Sequence, residues 1–181
     1  MSQAIDKIVN VPLTWDEVIK EFSWINSTQG EAYVPSYLIR YPQRIDSRLT
    51  PDDFRGTEVA LPVNQNLAIH YTPGDPAVGV IEIDLVFLKD GQYFVVEAKQ
   101  ADLSDKTQLT NRNKAENQLQ RNARIMKEHL DANAIQYDGI TPVLAWIEGY
   151  PPDSAGKLSP EGYMRGTTER EVIRIPSVSI P

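Results

Sequence analysis

Two runs of β-branched and aromatic residues, 78–88 (VGVIEIDLVFL) and 92–99 (QYFVVEAK), are separated by Lys89-Asp90-Gly91. Asp-Gly between strand-like runs favours a two-residue type I′ turn, because both central residues of that turn need a positive φ. A hairpin with Lys89 opposite Gln92 is therefore predicted, and the remaining pairs follow by counting: Val86 with Val95, Asp84 with Glu97, Glu82 with Lys99. Directly opposed residues lie on one side of a sheet, with Cβ atoms roughly 4.5–5.5 Å apart. One face then carries Glu82, Asp84, Glu97 and Lys99. The other carries Ile83, Leu85, Phe87, Phe94, Val96 and Ala98, which reads as core.

The charged face needs an explanation. Two carboxylates about 5 Å apart repel by about 3 kcal/mol at an effective dielectric near 20, and like charges facing each other weaken a ladder. A raised pKa on one acid, neutralisation by Lys99, or a divalent cation between the acids would each relieve the repulsion. A cation held there can activate water and bind a phosphodiester oxygen, and Lys99 can orient that water or stabilise charge on a pentacovalent phosphate. The ordinary alternative is a solvated face of a half-exposed hairpin. Val80, Val86, Leu88 and Val95 argue against it, because they make the acid-bearing face apolar as well.

The rest of the chain bounds the problem. It has 181 residues and no cysteine, which suits one domain with a real core and excludes disulfide frameworks, thiolate metal sites and a cysteine nucleophile. Hydrophobic residues make up 41% and charged residues 24%, an ordinary globular balance. No apolar run reaches the roughly 20 residues of a membrane span, and the N-terminus lacks a signal-peptide pattern; a soluble, cytoplasmic protein is expected. The net charge of −7 weighs against a nucleic-acid partner only on average.

Residues 14–25 (TWDEVIKEFSWI) predict an amphipathic helix, with Thr14 and Glu17 spaced as a capping box. Prolines punctuate residues 29–76, where short strands are expected near 58–61 and 67–71, and a helix broken by Pro35 and Pro42 within 30–57. Residues 113–130 predict a helix whose apolar stripe is Ala115, Leu119, Ala123, Met126 and Leu130, with Asn113 and Glu116 at capping spacing. A strand is predicted over 141–147 (TPVLAWI). The domain is expected over 1–150, with an N-terminal helical extension, and 151–181 form a tail with a late strand candidate at 171–175. The order of elements gives a mixed α/β domain.

Asp84, twelve residues, then Glu97-Ala98-Lys99 resembles the signature of the PD-(D/E)XK nuclease superfamily. The string IEIDLVFLKDGQYFVVEAK resembles the hairpin of Holliday-junction resolvases and of NERD-type and RecB-type nuclease domains. The resemblance covers about residues 78–147. Ile83 stands where the superfamily's naming proline would be.

The resemblance implies a restriction-endonuclease-like α/β core, a mixed central sheet flanked by helices in α-β-β-β-α-β order. It implies a metal-dependent endonuclease hydrolysing phosphodiester bonds in DNA with Mg2+ or Mn2+. Asp84 and Glu97 would be metal ligands, with the Ala98 carbonyl as a third. Lys99 would be the catalytic lysine, and Gln118 an active-site residue supporting Lys99 or touching the DNA backbone, with Asn122 one turn on. A further acid would come from Glu17, Glu21 or Glu31; Gln29-Gly30-Glu31 resembles the start of the NERD-type domain and favours Glu31. Relatives act as homodimers or inside larger nucleic-acid-processing complexes.

Lys106, Arg112, Lys114, Arg121, Arg124 and Lys127 outnumber the acids around them and are candidate phosphate contacts. A helix face laced with charges is the plain alternative. Arg40, Arg44, Arg48 and Arg55 form a looser set that reads better as ordinary surface. His70 and His129 are isolated, Trp15, Trp24 and Trp146 read as core, and no glycine pattern forms a phosphate loop. Two rivals to the nuclease are a catalytically inactive nuclease-fold module that binds nucleic acid or a protein, and a retaining glycosidase. The second also uses carboxyl groups about 5–5.5 Å apart, but Lys99 and the lack of an aromatic-rich cleft speak against it.

Overall fold

A computed structural model describes residues 4–14, 17–18, 33–62, 80–99, 102–104 and 106–148. In chain order the elements are β1 (Val9–Thr14), α1 (Tyr33–Arg40), β2 (Phe54–Pro62), β3 (Val80–Lys89), β4 (Gln92–Lys99), α2 (Leu109–Ala132) and β5 (Gly139–Glu148). The strands form one mixed sheet in the order β1-β5-β4-β3-β2. The pairs β2–β3 and β3–β4 are antiparallel, whereas β4–β5 and β5–β1 are parallel. The fold is α/β, and after β1 its elements follow the expected α-β-β-β-α-β order. Among the described residues no helix is long and apolar enough to cross a membrane.

The hairpin forms as its turn chemistry dictates. Asp90 and Gly91 have φ of 47° and 79°, and Lys89 pairs with Gln92. The sheet buries both faces. On one, Val86, Tyr93, Val95, Leu144 and Trp146 pack under the predicted α2 stripe of Ala115, Leu119, Ala123, Met126 and Leu130. On the other, Leu85, Phe87, Phe94, Val96, Val143 and Ile147 pack against Val34 and Leu38 of α1 and against Leu13. Strand β5 is buried at every position except Glu148, as a parallel strand covered on both faces must be. Pro142 inside it has no N–H to give. The N-terminal segment accordingly pairs with Ile140 through Ile5, skips Pro142, and resumes as β1 at Val9–Val143.

Several expectations are corrected. A strand that the sequence pattern did not suggest, β1, precedes the segment expected as a helix; among the described residues it is an edge strand that alternates Val9, Val11 and Leu13 and carries Pro12 between the last two. The N–H-free Pro12 is tolerated at an edge, and its carbonyl accepts from Arg44 Nη2 at 3.2 Å. The Thr14–Glu17 capping box is present: Glu17 N–H donates to Thr14 Oγ1 at 3.2 Å, and Thr14 N–H donates to Glu17 Oε2 at 2.8 Å. The rest of the helix expected over 14–25 lies outside the described residues, as do the strands expected at 67–71 and 171–175 and the tail 151–181.

Pro35 does not break α1. It stands in the first turn, where its missing N–H is no loss, and the helix ends before Pro42. Helix α2 starts at Leu109, after a 3-10 turn at Lys106–Gln108. Asn113 is therefore not its cap but an exposed residue one turn inside, and Glu116 pairs with Arg112 instead.

Gly91 donates the hairpin's fit to the rest of the sheet. Its carbonyl accepts from Asp138 N–H at 2.8 Å, and a Cβ built on it would lie 2.6 Å from Asp138 Oδ2. The Asp138 side chain can shift to make room, but the positive φ itself favours glycine. Replacing Gly91 with Ala is expected to lower stability by about 1–2 kcal/mol, seen as a lower midpoint in urea unfolding, with an unchanged m-value.

Candidate active site

Strand β3 serves two neighbours unequally. Its ladder with β2 continues to Val80, but its ladder with β4 stops at Leu85–Val96, one pair short of Asp84 and Glu97. At that point the Asp84 side chain takes over the pairing: Oδ2 accepts the Ala98 N–H at 2.7 Å. The predicted register holds up to the break and the predicted pair Glu82–Lys99 does not form. Glu82 is exposed and opposes Ala60 of β2, while Lys99 opposes Trp146 of β5. Ile83, expected on the Leu85 face, packs instead in the core that contains Val86 and Val95 and also Val59, its partner on β2.

Glu97 is 1% exposed. The Lys99 ammonium pairs with its Oε1, and its Oε2 is buried without a hydrogen bond. Burial, and then the neighbouring Asp84 carboxylate, push the Glu97 carboxyl up to about 7, against the pull of Lys99 and Arg121. Three of the predicted residues, Asp84, Glu97 and Lys99, are thus gathered at the opening between β3 and β4. Of the three ways to relieve the carboxylate repulsion, two are visible: a lysine neutralises the pair and one acid holds its proton more tightly.

Helix α2 closes over this opening. Arg121, one of the candidate DNA contacts, is half-buried on this helix, and its charge favours the ionised form of Glu97. Asn122, 1% exposed, donates from Nδ2 to the Glu82 carbonyl at 3.4 Å, and its Oδ1 is buried without a hydrogen bond. It ties the helix to β3 just before Asp84. The sequence placed it one turn beyond Gln118; its partner was not readable there. Gln118 is half-buried one turn earlier on the same side of the helix.

Glu17, one candidate for the third acid, is committed elsewhere. Its carboxylate accepts from Thr14, from Tyr37 Oη at 3.3 Å and from Arg44 Nε at 3.1 Å. Glu21 and Glu31 lie outside the described residues. Among the described residues no three His, Asp or Glu side chains converge as a metal-binding group. Asp84 and Glu97 nonetheless fit a hard divalent cation, which takes one or two carboxylates and keeps several waters, and the unpartnered Glu97 Oε2 is an oxygen in want of such a partner. Ala98, the remaining candidate ligand, lends its N–H to Asp84.

The candidate phosphate contacts divide. Lys106, Lys114 and Arg124 are exposed. Lys127 pairs with Asp131 at 2.6 Å. Arg112 bonds Glu116 at 3.1 Å and lies over the Trp146 ring at 5.2 Å. The second arginine set is structural: Arg44 holds Glu17, Arg48 holds Asp46 at 2.9 Å, Arg55 donates to the Asp52 and Phe54 carbonyls, and Arg40 lies over Tyr41. His129 sits in the last turn of α2 beside Asn133. Of the three tryptophans only Trp146 is described, and it is core. His70 lies outside the described residues. Comparison with protein-family models, curated proteins and solved structures returns no match for this chain.

A carboxyl raised in the folded protein retains a proton that the unfolded chain releases. Its folded form therefore loses stability as pH rises from the ordinary Glu value of 4.5 to about 7. Glu97→Gln, neutral throughout, escapes that loss. In EDTA, the variant is expected to melt several degrees above the parent at pH 8, with the gap closing toward pH 4.5 in calorimetry. A gap that does not change with pH would remove the electrostatic explanation.

Proposed function

We propose that this chain is a metal-dependent endonuclease of restriction-endonuclease-like fold, hydrolysing phosphodiester bonds in DNA. The observation that carries this is the meeting of Asp84, Glu97 and Lys99 where β3 and β4 part, with a Glu97 oxygen buried and unpartnered. A solvated sheet face has no reason to bury a carboxylate in this way, since an unsatisfied buried polar atom costs about 1–3 kcal/mol. Mg2+ or Mn2+ would be held by Asp84 and Glu97, with the Ala98 carbonyl and Glu31 as the further ligands the superfamily resemblance implies. When bound, the metal would supply a water of lowered pKa and positive charge beside the phosphate.

The chain's own groups have separate tasks. Asp84 is oriented by the Ala98 N–H. Lys99, partly exposed beside Glu97, orients the attacking water and offsets charge on the phosphate in the transition state. Gln118 supports Lys99 or contacts the backbone of the substrate. In the reaction the water oxygen bonds to phosphorus and one P–O ester bond breaks. The proton that water loses is balanced by the one the leaving alkoxide takes up, giving a phosphomonoester and an alcohol.

A second reading is a catalytically idle nuclease-fold module binding nucleic acid or a protein. The Lys99–Glu97 pair favours it, because an internal cation already neutralises the acid that would hold the metal. Plasmid, linear, branched and single-stranded DNA, each incubated with Mg2+ or Mn2+, separate the two. Asp84→Ala, Glu97→Ala and Lys99→Ala are each expected to slow cleavage by about a hundredfold or more while still unfolding cooperatively, and EDTA is expected to stop the parent. Cleavage that persists in all three variants with EDTA present overturns the mechanism. DNA binding without cleavage of any substrate selects the idle module.

A further inference from the structure

Lys99 and Trp146 are direct neighbours across the parallel β4–β5 ladder. Such neighbours project to the same face, with strands about 4.8 Å apart. Trp146 therefore stands one strand beyond the candidate catalytic lysine, on the side away from Asp84. The Arg112 guanidinium lies over its ring at 5.2 Å, donates from Nε to Glu116 Oε1 at 3.1 Å and reaches Asn10 Oδ1 of β1 with Nη2 at 3.5 Å. An arginine held by a ring below, a carboxylate at Nε and an amide at one Nη is fixed in orientation before any ligand arrives. Its side chain remains 31% exposed. Beneath it the Trp146 indole N–H is buried and has no acceptor.

We propose that Arg112 and Trp146 form a phosphate-binding subsite for the DNA backbone, one strand removed from the reacting phosphate. This deepens the nuclease reading and rests on it for the choice of ligand. The chemistry is that of backbone recognition. A stacked guanidinium has its donor fork pre-organised, so little conformational freedom is lost when it grips a phosphate. Glu116 partly offsets the charge, and its bond to Nε with that of Asn10 to Nη2 leaves Nη1 as the remaining donor group for a phosphate. Lys106, Lys114 and Arg124 are exposed side chains without such positioning. Arg112 thus sets the register of the strand relative to Asp84 and Glu97, and is a binding and positioning residue rather than a catalytic one.

The test is fluorescence anisotropy of the full chain with a labelled single-stranded and a labelled duplex oligonucleotide, in EDTA across a salt series. Arg112→Gln is expected to weaken binding about tenfold and to lower the slope of log K against log salt by about 1, as the loss of one phosphate contact does. Arg112→Lys is expected to keep the slope and lose part of the affinity, and Trp146→Phe to weaken binding with the slope unchanged. Arg112→Gln is expected to raise KM by more than it lowers kcat. An Arg112→Gln protein with the parent's affinity and slope overturns the subsite. So does one that loses affinity together with its cooperative melting while Arg112→Lys loses as much. A parent that cleaves alongside an unaffected Arg112→Gln leaves the nuclease reading standing without the subsite; a parent that binds with the expected Arg112 dependence but never cleaves leaves the subsite without the nuclease.

Discussion

The hydrogen bond from the Ala98 N–H to the Asp84 carboxylate decides the geometry around it. A backbone donor in a ladder ordinarily meets a backbone carbonyl, and here a side chain takes that place. The exchange keeps the donor satisfied, as a buried N–H requires. It also ends the β3–β4 ladder at Leu85–Val96 and turns a flat hairpin into one with an opening at its end. The two acids remain close enough to influence each other, yet they are no longer held as a facing pair in a ladder.

The opening is costly to maintain. A nearly fully buried carboxylate, an unpartnered oxygen on it and an unpartnered amide oxygen on Asn122 all oppose folding. Lys99 and Arg121 offset part of this by charge, and Asn122 offsets part by binding the Glu82 carbonyl. The larger compensation lies in the two apolar layers, since α2 covers one face of the sheet and α1 the other with few polar interruptions. A small cluster that disfavours the fold can persist when the elements carrying it are held by burial along the rest of their length.

What was legible in the sequence was local. Asp90-Gly91 specified its own turn, and the register of the hairpin followed by counting. The bounds of β4 and the buried stripe of α2 came from uninterrupted periodicity, and the Thr14–Glu17 box from two residues three apart. What was not legible depended on distant partners. Strand β1 carries a clean alternation, but it is short, holds a proline, and pairs with β5 at the other end of the described chain. The early end of the β3–β4 ladder depends on a side chain displacing a carbonyl, and no pattern of hydropathy encodes that choice. Arg121 looked like its basic neighbours on α2; only the packing of that helix across the sheet turns its charge toward Glu97.

Pro12 has a consequence for the outer border of the sheet. Among the described residues β5 is buried along nearly its whole length, and β1 is the strand that flanks it on that side. An uncovered strand border is a template on which another polypeptide can pair. At Pro12 that template is defective in both senses: the residue has no amide hydrogen to offer, and its carbonyl is already engaged by Arg44. Among the described residues, one imino acid and one guanidinium thus make the parallel end of the sheet a poor place for a neighbouring chain to pair.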